Sequence, residues 1–415
     1  MNEAVIQPAP TEMKRPLLLQ KDFLIIFAIT LSSRLGFSLF LFTQSWFVIN
    51  ELHQKAGLGM IFIASSVPAI LLMTLGGVLA DRFNRKTIVL LSTLAEALTI
   101  GSVFLLLFNG WNHLSLFIVS ALLFGIIDSF HVPARNALLP SVVQEDDLMR
   151  ANSLISIISQ VTGIFGAFLA GVFIKYLDYS TIFLLASLIM IFFSACIPFL
   201  SLKKEKVEKE DQEPLLQSFK NGLSYIRKNT FLSTLISVSF VINVFITGPM
   251  ALGIPLIASK LFKQNSLAFS TMEAVLVVGI LAGSAAVGIL NFKKNRGLIA
   301  MWALFALGLT YLGLGVSRSL VLCLIFLFLL GFALSFSNAP IFAIVQSKVE
   351  NAMLGRVMSV MMLAGSALQP VSYGLTSLLL GTGIDIQTVI VLGAVPLICV
   401  ILWVFLKVPV LRQTN

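Results

Sequence analysis

The segment Leu202–Lys228 reads LKKEKVEKEDQEPLLQSFKNGLSYIRK, and it divides the 415-residue chain into two halves. Lys and Glu alternate in its first part, a pattern typical of a solvated tether. Six long apolar stretches precede this segment and six follow it, and each approaches or exceeds the roughly 20 apolar residues that a membrane-spanning helix needs. The pattern predicts two six-helix units, residues 1–202 and 229–415, joined by a cytoplasmic linker, residues 203–228.

The composition excludes a water-soluble enzyme. Hydrophobic residues make up 58% of the chain and charged residues 11%, with a mean hydropathy of +0.98, whereas soluble proteins carry roughly 25% charged residues. We therefore expect an all-α membrane protein without a separate extramembrane domain. The predicted spans lie near residues 22–50, 57–80, 87–108, 112–134, 149–174, 180–202, 229–258, 269–291, 297–316, 319–346, 353–380 and 385–406.

The basic residues predict the orientation in the membrane. If the N-terminus is cytoplasmic, 22 of the 28 Lys and Arg residues lie on the cytoplasmic side, 5 lie in the opposite loops, and Arg34 lies inside a span. Short loops rich in Lys and Arg stay in the cytoplasm, so both termini are predicted to be cytoplasmic. The net charge of +9 is spread over seven segments rather than gathered on one face. This distribution favours lipid headgroups over nucleic acid as the partner.

The two halves repeat each other at nearly constant offsets. Three residues of the loop after the second span recur 211 positions later, and a proline of the fourth span recurs 207 positions later. Gly77, Asn84, Arg85 and Pro133 correspond in this way to Gly288, Asn295, Arg296 and Pro340. Because six is an even number, both copies enter the membrane in the same direction and form a parallel repeat, in which alternating access is a rocking of one half against the other.

The loop after the second span carries an acid and three bases. It reads Gly77-Val-Leu-Ala-Asp81-Arg82-Phe-Asn84-Arg85-Lys86 and resembles the pattern G-x-L-a-D-R-x-G-R-K of the major facilitator superfamily, with Asn84 in place of a glycine. Since Asn tolerates a left-handed backbone, we expect the turn to persist. The cluster is predicted to latch neighbouring helices on the cytoplasmic side, or else to set topology only, which needs no Asp.

The counterpart of this loop in the second half keeps the bases and lacks the acid, so the acid latch is predicted for the first half alone. Its basic residues are Lys293, Lys294 and Arg296, and Arg356 belongs to a later second-half motif.

A second motif surrounds the end of the fourth span. The run Phe130-His131-Val-Pro133-Ala-Arg135-Asn-Ala-Leu-Leu-Pro, followed by an Ala-Asn-Ser-Leu at residues 151–154, resembles the superfamily branch that contains the enterobactin exporter and the macrolide efflux proteins. The resemblance extends from Phe23 to Phe405. It implies the major facilitator fold, with twelve transmembrane helices in two pseudo-symmetric bundles. It also implies that spans one, four, seven and ten line a central cavity.

Small residues recur at four-residue spacing in the fifth span. Gly163, Ala167 and Gly171, with Gly166 beside them, allow helix backbones to approach closely. They also resemble the antiporter motif of the superfamily, in which a proline stands where this chain has Ala167. Helix packing and antiport both remain open for these positions.

Ionisable residues inside the spans are the candidate functional groups. A charge at the membrane centre costs at least roughly 2.5 kcal/mol, so it needs a partner or a function. Arg34 in the first span is expected to reach towards Asp128 in the fourth, with His131 on the same helix face as Asp128. The pair is either a structural ion pair or a proton-coupling site, and His131 either joins the coupling or forms a local hydrogen bond at the membrane interface.

Two further acids lie within the spans. Glu96 in the third span is expected to pair with Arg34 or to face a packed seam, and Glu273 in the eighth either reaches the outer headgroups or serves as a coupling site. The uncharged candidates contact the substrate or bond between helices, and they are Asn50, Gln160, Asn243, Asn338 and Gln369.

Together these features predict a monomeric secondary active transporter of a bacterial inner membrane, which exchanges protons for a bulky amphipathic small molecule. The substrate is drug-like, as macrolides are, or a siderophore, which Arg34 favours slightly if the siderophore is anionic. A lysophospholipid carrier is an alternative, and a receptor that binds without transporting is a second. No phosphate-binding loop of the G-x-x-x-x-G-K-[ST] type occurs. We predict no catalytic residues, no metal site and no cofactor.

Overall fold

The computed structural model describes residues 16–201, 215–290, 292 and 295–407, and no β-strand occurs in these ranges. Helices dominate because a backbone in lipid must satisfy its hydrogen bonds within itself. The first half contains α1 (Lys21–Asn50), α2 (Lys55–Arg82), α3 (Arg85–Phe108), α4 (Leu114–Leu138), α5 (Leu148–Tyr176) and α6 (Tyr179–Ser194).

The second half begins with a helix inside the predicted linker. This helix, α7 (Leu215–Lys228), precedes the seventh span, which consists of α8 (Thr230–Ile242), a π-helical turn (Asn243–Thr247) and α9 (Gly248–Leu261). The remaining helices are α10 (Ser266–Leu290), α11 (Arg296–Val316), α12 (Leu320–Lys348), α13 (Asn351–Ala367), α14 (Gln369–Gly381) and α15 (Ile386–Lys407). The helix α7 packs against α13 and α8.

The described helices confirm an all-α membrane protein with one departure from the predicted spans. Eleven helical segments are long and apolar enough to cross a membrane. The predicted span 353–380 is instead two helices, α13 and α14, which meet at Leu368. Pro370 in the first turn of α14 lacks an N–H group, so it cannot contribute to an unbroken helical ladder at this point.

The two halves repeat the same packing. In the first, α2 packs on α4 and α3 on α6; in the second, α10 packs on α12 and α11 on α15. A close backbone contact is repeated as well: a Cβ atom on Gly125 would collide with the carbonyl of Ser65, and one on Gly331 with the carbonyl of Leu276. The glycines are 206 positions apart and the carbonyls 211. This agreement with the offsets seen in the sequence supports a duplicated six-helix unit.

The π-helical turn of the seventh span is held by side chains from other spans. Ser372 Oγ accepts a hydrogen bond from the Gly248 amide at 2.7 Å and donates one to the Val244 carbonyl at 2.7 Å. Tyr311 Oη donates to the Phe245 carbonyl at 2.8 Å. A π-helical turn interrupts the regular backbone ladder, and these two side chains bond the groups at the interruption.

Replacing Ser372 with Ala is expected to destabilise the protein. The change leaves a buried amide and a buried carbonyl without a partner, which costs about 1–3 kcal/mol for each group. The melting temperature of the purified protein in detergent should fall. Ser359→Ala is the matched control, because the exposed Ser359 donates only to Gly355 of its own helix. Equal melting temperatures for the two variants would contradict this account of the turn.

The halves meet at one end of the bundle. We call the end nearest residues 203–228 the linker face and the opposite end the far face. Asn50 accepts a hydrogen bond from Ser259 Oγ at 2.5 Å, and Ser377 Oγ donates to the Ala56 carbonyl at 2.6 Å. Each of these bonds joins the first half to the second at the far face. The contacts therefore close the far face.

Candidate functional site

The side of α5 that faces the second half is covered at the far face and exposed towards the linker face. On α5, Gly171 meets Ser266 and Ser270 of α10 at the far face. The same face of α5 continues through Gln160 and Ser153, which are exposed. The halves are therefore joined at the far face, while this side of α5 is uncovered towards the linker face.

Five ionisable side chains converge inside the first half. They are Arg34 of α1, Glu96 of α3, and Asp128, His131 and Arg135 of α4. We call them the charged cluster. A carboxylate oxygen of Glu96, a carboxylate oxygen of Asp128 and a ring nitrogen of His131 all lie within 4.8 Å of one another.

Helix geometry explains why α4 supplies three members of the charged cluster. Asp128, His131 and Arg135 follow each other at spacings of three and four residues, so they share one face of the helix. The helix α3 packs against α4, which brings Glu96 to His131. Their contact joins His131 Nδ1 and Glu96 Oε1 at 2.5 Å, with side chains only 4% and 6% exposed.

The charges of this cluster balance. With His131 neutral, two arginines face two carboxylates, and one added proton gives a net charge of +1. Buried charges are tolerated when they are paired and bonded. Among the described residues, Arg34 Nε and His131 Nε2 are buried without a hydrogen-bond partner. Both atoms can therefore form a hydrogen bond with a neighbouring acid if a side chain reorients when the cluster gains or loses a proton.

The predicted pairing of the acids is only partly right. Arg34 acts on Asp128 through its charge, but no ion-pair contact joins them in the described ranges. The hydrogen-bond partner of Glu96 is His131 and not Arg34. The local, interfacial bond expected for His131 is wrong, because α4 continues to Leu138 and buries the imidazole against α3.

Arg135 is a cluster member that the sequence analysis did not select. It was counted only among the basic residues on the cytoplasmic side, yet its charge acts with those of Arg34, Glu96 and Asp128. The signal was its spacing of four residues from His131 on one helix face.

The cluster includes side chains of the types that bind metal ions, since Glu96, Asp128 and His131 could each offer one ligand. Arg34 and Arg135 lie in the same cluster and would repel a divalent cation. This arrangement suits a proton better than a metal, and the expectation of no metal site stays a prediction.

The second half has no charged residues at the positions that correspond to the charged cluster. Its predicted acid, Glu273 of α10, lies elsewhere and is only partly exposed. The repeat offsets relate Glu96 to Leu307, and they relate the three α4 residues of the cluster to Ser335, Asn338 and Phe342. Leu307 is fully buried. At these positions the second half has no group that can take up a proton near neutral pH.

The basic loop after α2 binds helix ends of its own half. Arg85 Nη1 donates to the Ala137 carbonyl at 3.2 Å, and Lys86 Nζ donates to the carbonyls of Pro198 and Leu200 at 2.6 and 2.8 Å. Arg82 is exposed. The carbonyls at the end of α4 and at the short 3₁₀ helix Ile197–Phe199 that follows α6 carry partial negative charge, which basic side chains stabilise.

The sequence predicted a latch at Asp81 and a left-handed backbone at Asn84 in this loop. The side chain of Asp81 lies outside the description, so its latch role stays a prediction. The left-handed backbone expected at Asn84 is wrong: its φ is −62°, and its side chain caps α3 by accepting from the Lys86 amide. Asn295, its counterpart, does adopt the left-handed conformation, with φ at 57°.

The other basic residues of the second half are only partly described. Arg296 Nε donates to the Phe292 carbonyl at 2.8 Å, and Arg356 Nη1 contacts Met353 Sδ at 3.5 Å. Lys293 and Lys294 lie outside the described residues.

The small residues of α5 divide into two groups. A Cβ atom on Gly166 would meet Ser38 of α1, and one on Gly171 would meet Ser270 of α10; Ala167 is buried. Gly77 in the loop motif and Gly163 in α5 have nothing within 4 Å of a Cβ position. Gly163 nevertheless contacts α1, because Ser38 Oγ donates a hydrogen bond to its carbonyl at 2.7 Å, so the expected close approach of α5 is found at this position too.

Enlarging Gly171 is expected to weaken the closure of the far face. A Cβ atom there would lie 2.6 Å from Ser270 Oγ and 3.0 Å from the Ser266 carbonyl, so Gly171→Val forces α5 and α10 apart. The accessibility of a cysteine introduced at the far-face end of α10 to a thiol reagent should rise. Gly163→Val in the same helix is the matched control and should leave this labelling unchanged; equal labelling of both variants would argue against Gly171 as a closing contact.

The uncharged candidates also separate. Asn50 is buried, with bonds to Ser259 and to the Trp46 carbonyl, so it closes the far face instead of contacting the cavity. Asn243 bonds Ser239 at the π-helical turn, and Gln369 begins α14. Gln160 and Asn338 are exposed.

Two bundles of apolar helices, each long enough to cross a membrane and joined to each other at the far face, are the architecture of a multi-pass membrane protein. A profile of the Major Facilitator Superfamily matches residues 26–373, and the chain belongs to that family. The resemblance noted in the sequence is thereby confirmed, and the family is one of transporters and not of enzymes.

Relatives and solved structures agree with this assignment. Macrolide efflux protein A of Streptococcus pyogenes is 25% identical over 322 residues, which cover 75% of this chain and 78% of that protein. The staphyloferrin A transporter of Staphylococcus aureus is 24% identical over 332 residues, which cover 77% and 80%. The nucleoside transporter NupG is similar in fold, with a TM-score of 0.77 at 12% identity over 92% of this chain and 98% of that chain.

Proposed function

We propose that this protein is a proton-coupled exporter of a bulky, amphipathic small molecule. The observation that carries the proposal is the balanced charged cluster of Arg34, Glu96, Asp128, His131 and Arg135, which lies within the spans of one half only. Intramembrane ionisable residues of this kind mark proton relays in transporters.

We propose the following transport cycle. With the linker face open, the solute enters the cavity and a proton leaves the charged cluster to the same side. The halves then rock, so that the linker face closes and the contacts of the far face separate. The solute leaves at the far face, a proton enters the cluster from there, and the halves return.

Within the cluster, Asp128 and His131 hold the transported proton. When His131 is protonated, its Nδ1–H donates to Glu96, and its Nε2–H, which lacks a partner among the described residues, is free to bond Asp128. Loss of the proton frees Asp128 to attract Arg34. The attraction between Arg34 and Asp128 is therefore weaker when the cluster holds the proton and stronger when it has lost the proton. Arg34 belongs to α1, and α1 also contributes Asn50 to the contacts of the far face.

We propose that the linker face lies in the cytoplasm, because the segments rich in Lys and Arg lie on that side. The protein is then a multi-pass protein of a bacterial inner membrane with both termini inside, and the conformation described is open to the cytoplasm. We also propose that it works as a monomer embedded in the lipid bilayer and has no nucleic acid partner. One pair of bundles already encloses the cavity.

The identity of the solute has two further candidates. A relative is named for staphyloferrin A transport, so a siderophore is an alternative to the drug-like solute that the macrolide efflux relatives suggest. A lysophospholipid is a second alternative, because a cavity between bundles accommodates an amphipathic lipid equally well.

Purified protein in proteoliposomes tests the function. A pH gradient is imposed, and transport of a macrolide, a fluorescent lipophilic dye, a carboxylate siderophore and a labelled lysolipid is compared with that in protein-free liposomes. Uphill movement of a compound that collapses with a proton ionophore supports the proposal. Transport that is insensitive to the pH gradient would reject proton coupling, and gradient-driven movement of the siderophore or the lysolipid alone would change the substrate class.

A further inference from the structure

We propose that a cavity at the far face of the second half binds the phosphate group of an anionic membrane phospholipid. This cavity, which we call the far-face cavity, has a volume of about 520 Å³ and is surrounded by the end of α9, the end of α11 and the start of α15. The inference goes beyond the proposed function, because it concerns the lipid around the protein and holds whatever solute is exported and however export is driven.

The charged side chains of the far-face cavity give it a net positive charge. Lys260 Nζ contacts Asp385 Oδ1 at 2.8 Å, and 50% and 34% of the two side chains are exposed. Arg318 is exposed, and no ion pair or hydrogen bond of its side chain occurs among the described residues. Two bases against one acid attract an anion, and a free guanidinium group can bond two phosphate oxygens at once.

The loop that carries Arg318 is held to both α15 and α11. Gln387 Nε2 of α15 donates to the Ser317 carbonyl at 2.5 Å, and Ser317 Oγ donates to the Gly313 carbonyl of α11 at 2.6 Å. Ser317 is buried. Because the backbone next to Arg318 is already fixed, binding a ligand there orders only the arginine side chain, which lowers the entropic cost of binding.

The length of α11 places the far-face cavity at the depth of lipid headgroups. This helix has 21 residues, so it is about 31 Å long at the usual rise per residue. The hydrocarbon core of a bilayer is about 30 Å thick. We therefore expect Val316, the last residue of α11, to lie where the acyl chains end. Arg318 follows two residues later and is then at the level of the lipid phosphates.

Two stripes of exposed side chains lead along the spans to the far-face cavity. On α11, Leu309 and Val316 are seven residues apart and exposed, and on α15 the same spacing relates Thr388, Val395 and Leu402, which are exposed as well. A seven-residue spacing keeps side chains on one face of a helix. Val316 and Thr388 also line the cavity. Acyl chains that lie on these stripes bring their headgroup to the cavity, which favours a phospholipid over a free phosphate ion as the source of the anion.

The test measures binding of dioctanoyl phosphatidylglycerol to the purified full-length protein in a non-ionic detergent by native mass spectrometry. Dioctanoyl phosphatidylcholine, whose phosphate is balanced by a positive charge, is the zwitterionic comparison. Lys260→Gln and Arg318→Gln should each weaken phosphatidylglycerol binding about fivefold, the effect of one basic residue on an anionic lipid. Their effect on phosphatidylcholine binding should be smaller, because this lipid carries no net charge.

Two further variants distinguish a charge effect from a structural one. Asp385→Asn should tighten phosphatidylglycerol binding, because it removes the carboxylate that competes for Lys260. Lys175→Gln is the matched control: Lys175 is an exposed base in the last turn of α5, on the same face of the protein but in the first half. This change should leave lipid binding as in the wild type.

Three outcomes would overturn the inference. Equal weakening by Lys175→Gln and Arg318→Gln would show a diffuse attraction to the whole far face. Weaker binding by Asp385→Asn would show that the cavity variants act through damage to the structure. Inorganic phosphate that binds as tightly as phosphatidylglycerol and displaces it would assign the cavity to a free anion. None of these measurements uses transport, so their results do not depend on the proposed function.

Discussion

Asp128→Asn is expected to abolish export driven by a pH gradient while the protein remains folded. Asparagine has the shape of aspartate but cannot take up a proton, and Asp128 is the carboxylate that faces both His131 and Arg34. For the wild type, a gradient of two pH units supports at most about 100-fold accumulation for each proton exchanged. In the variant, accumulation should fall to the level of protein-free liposomes.

The same variant should still exchange labelled for unlabelled substrate without a gradient, because that reaction needs rocking of the halves but no net proton movement. The measurement is therefore made in both modes on one preparation. Asp178→Asn is the control, since it removes an exposed carboxylate at the start of α6, outside the charged cluster. Gradient-driven accumulation by the Asp128→Asn protein would refute the coupling role.

The second large effect is expected at the contact between Glu96 and His131. Breaking a buried pair by removing one partner costs about 3–5 kcal/mol, whereas replacing both partners with apolar residues is often neutral. Glu96→Leu and His131→Leu should each lower the melting temperature in detergent by roughly 10 °C. His131→Leu should be the worse of the two, because it leaves a carboxylate buried without its hydrogen bond.

The double variant decides whether this pair is structural or also functional. A protein with both residues changed to Leu should regain most of the wild-type melting temperature, but gradient-driven transport should stay lost because His131 no longer holds a proton. Recovery of both properties would show that the pair only stabilises the bundle. Single variants with unchanged melting temperatures would contradict the contribution of the pair to stability.

The charged groups inside the spans were visible in the sequence, but their partners were not. Arg34, Glu96 and Asp128 stand out because charges are rare in apolar stretches. That Glu96 meets His131, 35 positions away, depends on how α3 and α4 are rotated against each other. Arg135 was overlooked because it lies near the end of the fourth span, where a basic residue is ordinary.

Local conformation near the loops was also difficult to predict. Asn84 and Asn295 occupy equivalent positions, yet one caps a helix with an extended backbone and the other is left-handed. Both conformations are accessible to Asn, and the surrounding contacts select between them. Gly163 and Gly171 belong to one spacing pattern, but only Gly171 touches the other half.

The sequence alone determined the class of protein and most of the spans, because apolar length and charge are properties of each segment by itself. The internal duplication and the charge-based orientation stay predictions. The tertiary structure decided at which face the halves join, that the eleventh span breaks at Leu368, and that Ser372 bridges the π-helical turn. It also stacked Phe269 of α10 on Phe42 of α1. These features arise from helix rotation and packing between residues far apart in the chain, which a local pattern does not encode.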